Sequence, residues 1–175
     1  MSLHLIIDGY NLIRRSPSLS LLDREDLEKG REELIRRLAL YKQARALQII
    51  VIFDGWNQGN LSGSQTTQRG IRVVFSRRGQ KADEIIVRKA REMGEKAMVV
   101  TSDRQIQLDV QYYQATVIPS EDFELKMELA AYGGQERTDS EDFRDKTETK
   151  GTRKKGPSRR LPKNVRKAKR RIGKL

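Results

Sequence analysis

Residues 3–15 read LHLIIDGYNLIRR. Five residues of buried-strand character, Leu3–Ile7, run directly into Asp8, and Gly9, Tyr10 and Asn11 follow. A strand with so little polar interruption belongs inside a sheet covered on both faces. Ending it on a carboxylate has an ordinary explanation, because Asp-Gly is a turn dipeptide and Asp or Asn caps helices. It also has a functional one, since open parallel sheets bind ligands beyond the carboxyl ends of their strands.

Further apolar runs lie at Leu47–Phe53 (LQIIVIF), Ile71–Phe75 (IRVVF), Ala97–Thr101 (AMVVT) and Ala115–Ile118 (ATVI). Helical periodicity separates them. Residues 26–44 place Leu27, Leu34, Ile35, Leu38 and Tyr41 on one face. Residues 82–94 do the same with Ala82, Ile86, Ala90 and Met93, and end on a Gly suited to a C-cap. Shorter helices are expected after Asp103 and after Pro119-Ser120, where Glu121 and Asp122 suit a helix N-terminus. Alternating strands and helices imply right-handed crossovers, hence an α/β fold. Its core is an open, mainly parallel sheet of about five strands with helices on both faces. Asp54–Gly70 (DGWNQGNLSGSQTTQRG) has no apolar periodicity and reads as a long loop.

The chain of 175 residues suits one domain with an appendage. It contains no cysteine, which excludes disulfides and thiolate metal sites. With no secretory signal pattern and no run of about 18 apolar residues, a soluble cytoplasmic protein is expected. The net charge of +12 is unevenly spread: residues 150–175 hold thirteen Lys or Arg and no acid, whereas the remainder is nearly neutral. We divide the chain into a domain over 1–133, a polar acidic linker over 134–149, and a basic, disordered RNA-binding tail over 150–175.

Asp8 follows the first strand, Asp54 the second, and Asp103 the run ending in VVTSD, while Asp83 and Glu84 open the helix of KADEII. In a parallel sheet these positions share one edge. Each has a bland role in capping or turns, but four acidic sites on one edge repel one another unless a cation relieves them. Oxygen ligands suit Mg²⁺ or Mn²⁺, and Mg²⁺ is held by few carboxylates plus substrate phosphates. Asp8, Asp83 and Asp103 are therefore expected within reach of one divalent ion. Asn11 would orient a carboxylate or meet a phosphate, with Thr101 and Ser102 as supporting groups. No G-x-G-x-x-G follows the first strand and no Walker-type loop occurs. By family resemblance, an aspartyl-nucleophile phosphatase would carry an acid where Tyr10 stands. His4, the sole histidine, lies inside a strand, which leaves water activation to a metal.

DGYN, VIFDG, ADE and TSD, in this order on alternating strands and helices, resemble the NYN domain, a branch of the PIN-like metal-dependent nucleases, and within it the bacterial YacP-like family. The resemblance covers about residues 3–133. It implies an RNA endonuclease using acidic residues with Mg²⁺ or Mn²⁺, with some members acting on ribosome-associated mRNA. Carried over, it implies roles for Asp8 with Asn11, for Asp83 with Glu84, and for Asp103. Asp54 matches the FDG segment, and Asp109 is a further acid without a firm assignment.

Arg14, Arg15, Arg77, Arg78, Lys81 and Arg104 flank these acids and would contact phosphates, or else are ordinary surface charges. Trp56 would stack on an unpaired base or fold back onto the domain. In the tail, Lys154, Lys155, Arg159, Arg160, Arg170 and Arg171 belong to a one-sign run suited to RNA, including ribosomal RNA. The reading is a metal-dependent endoribonuclease that cleaves single-stranded RNA by attack of metal-activated water. Its rivals are a non-catalytic RNA- or ribosome-binding factor and a metal-dependent phosphatase.

Overall fold

The structure, a computed structural model, describes residues 3–43, 45, 47–55 and 63–132. Its strands are β1 (Leu3–Asp8), β2 (Leu47–Phe53), β3 (Ser64–Gln68), β4 (Ile71–Phe75), β5 (Ala97–Val100) and β6 (Thr116–Ile118). Its α-helices are α1 (Gly9–Arg15), α2 (Pro17–Glu25), α3 (Leu27–Gln43), α4 (Ala82–Met93), α5 (Arg104–Tyr112) and α6 (Ser120–Tyr132). One sheet of six strands runs in the order β3-β4-β2-β1-β5-β6. Every pairing is parallel except that of β3 with β4.

The apolar β1 has two cores to serve. Leu5 and Ile7 join Leu34, Leu38, Phe53 and Phe123 on the face covered by α1–α3 and α6. Ile6 points the other way, to Ile85, Ile86, Ile106 and Val110 of α4 and α5. After β1 the chain builds outward through β2 and β4, then returns to lay β5 on the opposite flank of β1. This places a topological switch point between β1 and β5.

Six strands replace the expected five, because β3 lies within the stretch read as loop. Ser64–Gln68 is exposed along nearly its whole length and pairs only with β4. An edge strand with no buried face has no alternation to display, although Thr66 and Thr67 carry β-branched side chains. Arg69 and Gly70 close the hairpin with φ of 50° and 76°, the two positive values of a type I′ turn. The helix α2 is a second departure. Ser16 caps it by accepting from Leu19 N–H at 3.2 Å, with Pro17 at its first position.

Trp56, the proposed linker and the basic tail lie outside the described residues. Among the described residues no helix is long and apolar enough to cross a membrane.

Candidate active site

The acidic residues gather at the carboxyl edge of the sheet, where Asp8 and Asp103 also cap helices and Asp54 anchors one. Asp8 ends β1 and caps α1: its Oδ1 accepts from Asn11 N–H at 3.2 Å, and its Oδ2 accepts from the Thr101 hydroxyl at 3.2 Å. The immediate strand-to-helix turn depends on Gly9, because a Cβ there would lie 2.2 Å from the Phe53 ring. Thr101 Oγ1 in turn accepts from Asp103 N–H at 3.1 Å, tying the ends of β1 and β5 together. Asp103 caps α5, with Oδ1 accepting from Gln105 N–H at 2.8 Å and Ile106 N–H at 3.1 Å.

Asp54 shapes the same edge from β2. Its Oδ1 accepts from Ala82 N–H at 2.8 Å, anchoring the first turn of α4, where Asp83 sits. Lys81, in the N-cap position, makes no side-chain cap. Asp54 is thus placed as the group that aims Asp83, and the Ser76 hydroxyl donates to it at 3.4 Å.

Asn11 takes a structural role beyond the one expected of it. Its Oδ1 accepts from Ser102 N–H at 2.9 Å and from the Ser120 hydroxyl at 2.8 Å. It therefore docks the β5–α5 connection and the start of α6 onto α1. Ser102 accepts from Ser120 N–H at 3.0 Å and donates to Glu121, which pairs with Arg15 at 3.3 Å. Ser120 and Glu121 are site-supporting residues that sequence reading missed. The acids there had only a helix-dipole signal, and the partners Asn11 and Arg15 lie about a hundred positions away.

The electrostatics single out Asp8. Only 9% exposed, it is pushed up to a pKa of about 6, first by burial and further by Asp83 and Asp54. Hydrogen bonds from Asn11 and Thr101 oppose that rise. Asp83 is also raised, by burial and then by the negative charges of Asp54 and Asp103. Among the described residues no ion pair reaches any of these four acids. They share an edge and repel one another, yet no three described His, Asp or Glu side chains converge closely enough to enclose an ion. Asp8, Asp83 and Asp103, expected within reach of one divalent ion, thus share one edge in an open arrangement.

The other residues singled out in the sequence divide. Glu84, Arg77, Arg78, Lys81 and Arg104 are exposed around the edge. Arg14 lies 5.8 Å from the Tyr10 ring centroid. Asp109 accepts from Gln105 at 3.0 Å within α5. His4 lies near the opposite end of β1, four residues or about 13 Å from Asp8.

The open α/β sheet and its acidic carboxyl edge are compatible with a nuclease domain of the PIN-like class, and the family match supports that class. The chain belongs to the YacP-like NYN domain family, whose model matches residues 5–172 and so takes in the linker and most of the basic segment. It is 34% identical over 102 residues to the uncharacterized protein YacP of Bacillus subtilis (strain 168). That alignment covers 57% of this chain and 59% of the relative, somewhat less than two thirds of its length. The crystal structure of Rae1 (YacP) from Bacillus subtilis superposes with a TM-score of 0.65 at 28% identity, covering 78% of this chain and 79% of the other. A crystal structure of a mutant of that same protein gives 0.62 at 26% identity, with coverage of 75% and 78%.

Proposed function

We propose that the protein is a metal-dependent endoribonuclease acting on single-stranded RNA, with mRNA as substrate and the ribosome as a site of action. Membership of a nuclease-domain family supports the class. The observation that carries the chemistry is Asp8, a nearly buried carboxylate with no cationic partner among the described residues and two further acids beside it.

The donors at the edge are carboxylate, amide and hydroxyl oxygens, a set that fits Mg²⁺ or Mn²⁺. Mg²⁺ retains several waters and uses one or two protein carboxylates plus substrate phosphate, so an open arrangement suits it. Of Asp8, Asp83 and Asp103, one or two would ligate it directly and the rest would meet its waters, with Asp54 and Glu84 nearby. When bound, the metal supplies charge neutralisation at the phosphate and an acidified water. The residues of the chain set the frame. Thr101 fixes the rotamer of Asp8, Asp54 fixes α4 and hence Asp83, and Asn11 locks the loop bearing Asp103. The basic segment 150–175 raises the local concentration of RNA without shaping this edge.

A second reading, an RNA-binding factor that does not cut, is favoured by the lack of a closed carboxylate cluster among the described residues. Incubating single-stranded RNA with and without Mn²⁺ separates the two. Wild type should cut only with the ion, and Asp83→Asn should bind RNA but not cut it. Deleting 150–175 should do the reverse, weakening binding and flattening its salt dependence while sparing cleavage at saturating RNA. Metal-dependent cleavage that survives Asp83→Asn would overturn the site.

A further inference from the structure

Arg31, in the second turn of α3, is only 9% exposed. Its Nη1 donates to the Tyr10 hydroxyl at 3.0 Å, and its guanidinium lies 5.5 Å from the Phe75 ring centroid. No carboxylate pairs with it among the described residues. Its neighbours on α3 are treated differently, for Arg36 and Arg37 both bind Glu33. The buried side-chain atoms without a partner among the described residues are Asp23 Oδ1 and Glu124 Oε1. The Arg31 nitrogens not bonded to Tyr10 are thus not sealed in the core; they retain access to solvent.

The location is at the carboxyl edge. Tyr10 follows Asp8 by two residues, and Phe75 ends β4 beside Phe53, which precedes Asp54. Tyr10 packs edge-on against Phe53 at 5.1 Å, and Phe53 stacks on Phe75 at 5.5 Å. Tyr10 and Phe75, joined through Phe53, therefore hold one guanidinium on the side of the sheet edge that carries Asp8 and Asp54. A guanidinium offers five N–H donors in a planar fork matched to phosphate. Holding it nearly buried with one neutral hydrogen bond is costly for a purely structural clamp, since an apolar side chain would fill the space without the desolvation.

We propose that Arg31 receives a backbone phosphate of the bound RNA strand, one flanking the phosphate presented to the acidic edge, with Tyr10 and Phe75 holding the fork. This rests on the reading of the domain as an RNA nuclease. It gives the near-neutral domain a fixed anion contact of its own, where the exposed arginines offer only mobile charge.

The test is binding of a labelled single-stranded oligouridylate to the full chain in EDTA, by fluorescence anisotropy across a salt series. Arg31→Gln should weaken binding and reduce the slope of log K against log salt by about 0.7, the release expected from one single-strand phosphate contact. Arg31→Lys should keep the slope and lose part of the affinity, because charge remains but the fork does not. A folded Arg31→Gln protein with wild-type affinity and slope overturns the proposal. Should that variant fail to fold, wild-type affinity in Arg31→Lys overturns it instead, and weaker binding at unchanged slope supports it. A parallel cleavage assay with Mn²⁺ separates this outcome from the broader reading. Arg31-dependent binding without any cleavage removes the nuclease reading alone. Cleavage with Arg31-independent binding removes the phosphate contact alone, and absence of RNA binding by wild type removes both.

Discussion

The carboxyl edge of the sheet and the outer face of α3 each hold an acid with a displaced pKa, in opposite directions. At the edge, Asp8 rises to about 6 because burial and neighbouring acids disfavour its charge. On α3, Glu33 falls to about 2 because Arg36 and Arg37 hold it, with bonds of 2.7 Å, 2.7 Å and 2.8 Å. One carboxylate is satisfied by its own scaffold. The other, though it also caps α1, has no cationic partner among the described residues, which makes it a candidate for a functional site.

The largest expected effect follows from removing the stressed charge. Asp8→Asn should lower RNA cleavage by about 10²–10³-fold, the usual loss when one electrostatic group of a reaction site is removed. The same change should raise stability. A pKa near 6 against an ordinary 3.8 means that ionising Asp8 costs the fold up to about 3 kcal/mol at neutral pH. The native state keeps the proton between those values and the unfolded state does not, so this penalty grows as pH rises from about 4 to 6. Urea titrations should find the variant more stable at pH 7 and equal to wild type below pH 4. A variant less stable at both would dissolve the contrast between the two regions.

Next in size is the response to metal. Mn²⁺ at a hundredfold excess over Kd should stabilise wild type by about 2.7 kcal/mol, read as a rise in Tm that EDTA reverses. Asp8→Asn and Asp83→Asn should lose most of that rise, and Glu33→Gln should keep it. An equal rise in all three would mean that the ion binds elsewhere.

Sequence legibility follows the same division between buried and surface features. The strands β1, β2, β4, β5 and β6 are visible because burial on two faces leaves continuous apolar runs, and parallel strands then carry Asp8, Asp54 and Asp103 to one edge. The strand β3 is hidden because an edge strand without a buried face needs no apolar pattern. The role of Asn11 is not legible, since its partners Ser102 and Ser120 come from β5–α5 and α6, and residue spacing does not encode them. Arg31 gives no signal in a helix with many charges, because only the fold sets it apart from Arg36 and Arg37.

Glu33 supplies a smaller effect with the reverse sign. Its depressed pKa contributes stability above the ordinary glutamate value of 4.5, and this is lost as pH falls toward 2. The acid is partly exposed, and its side-chain partner Arg36 is half in solvent, so screening reduces the gain. Glu33→Gln should therefore lower stability by about 1 kcal/mol at pH 7 and by nothing near pH 2. RNA cleavage should be unchanged. A loss of cleavage would show that α3 bracing reaches the edge through Arg31.

The smallest effect belongs to the β3–β4 turn, at the end of the sheet away from the acids. Arg69 has φ of 50°, a left-handed conformation that a long side chain with a Cβ adopts at a cost. Type I′ turns favour Asn or Gly at this position. Arg69→Asn should thus raise stability by about 0.5–1 kcal/mol, seen as a small rise in the urea midpoint with unchanged m. The replacement leaves Lys42 bonded to Gly70 O at 2.6 Å, so the hairpin keeps its tie to α3. RNA affinity decides what else the residue does. Arg69 lines a cavity of about 430 Å³ together with Arg36 and Lys42. If Arg69→Asn gains stability and binds RNA like wild type, the hairpin is scaffold. If affinity and its salt slope fall instead, the strained arginine is kept for RNA, and the substrate path extends beyond the acidic edge.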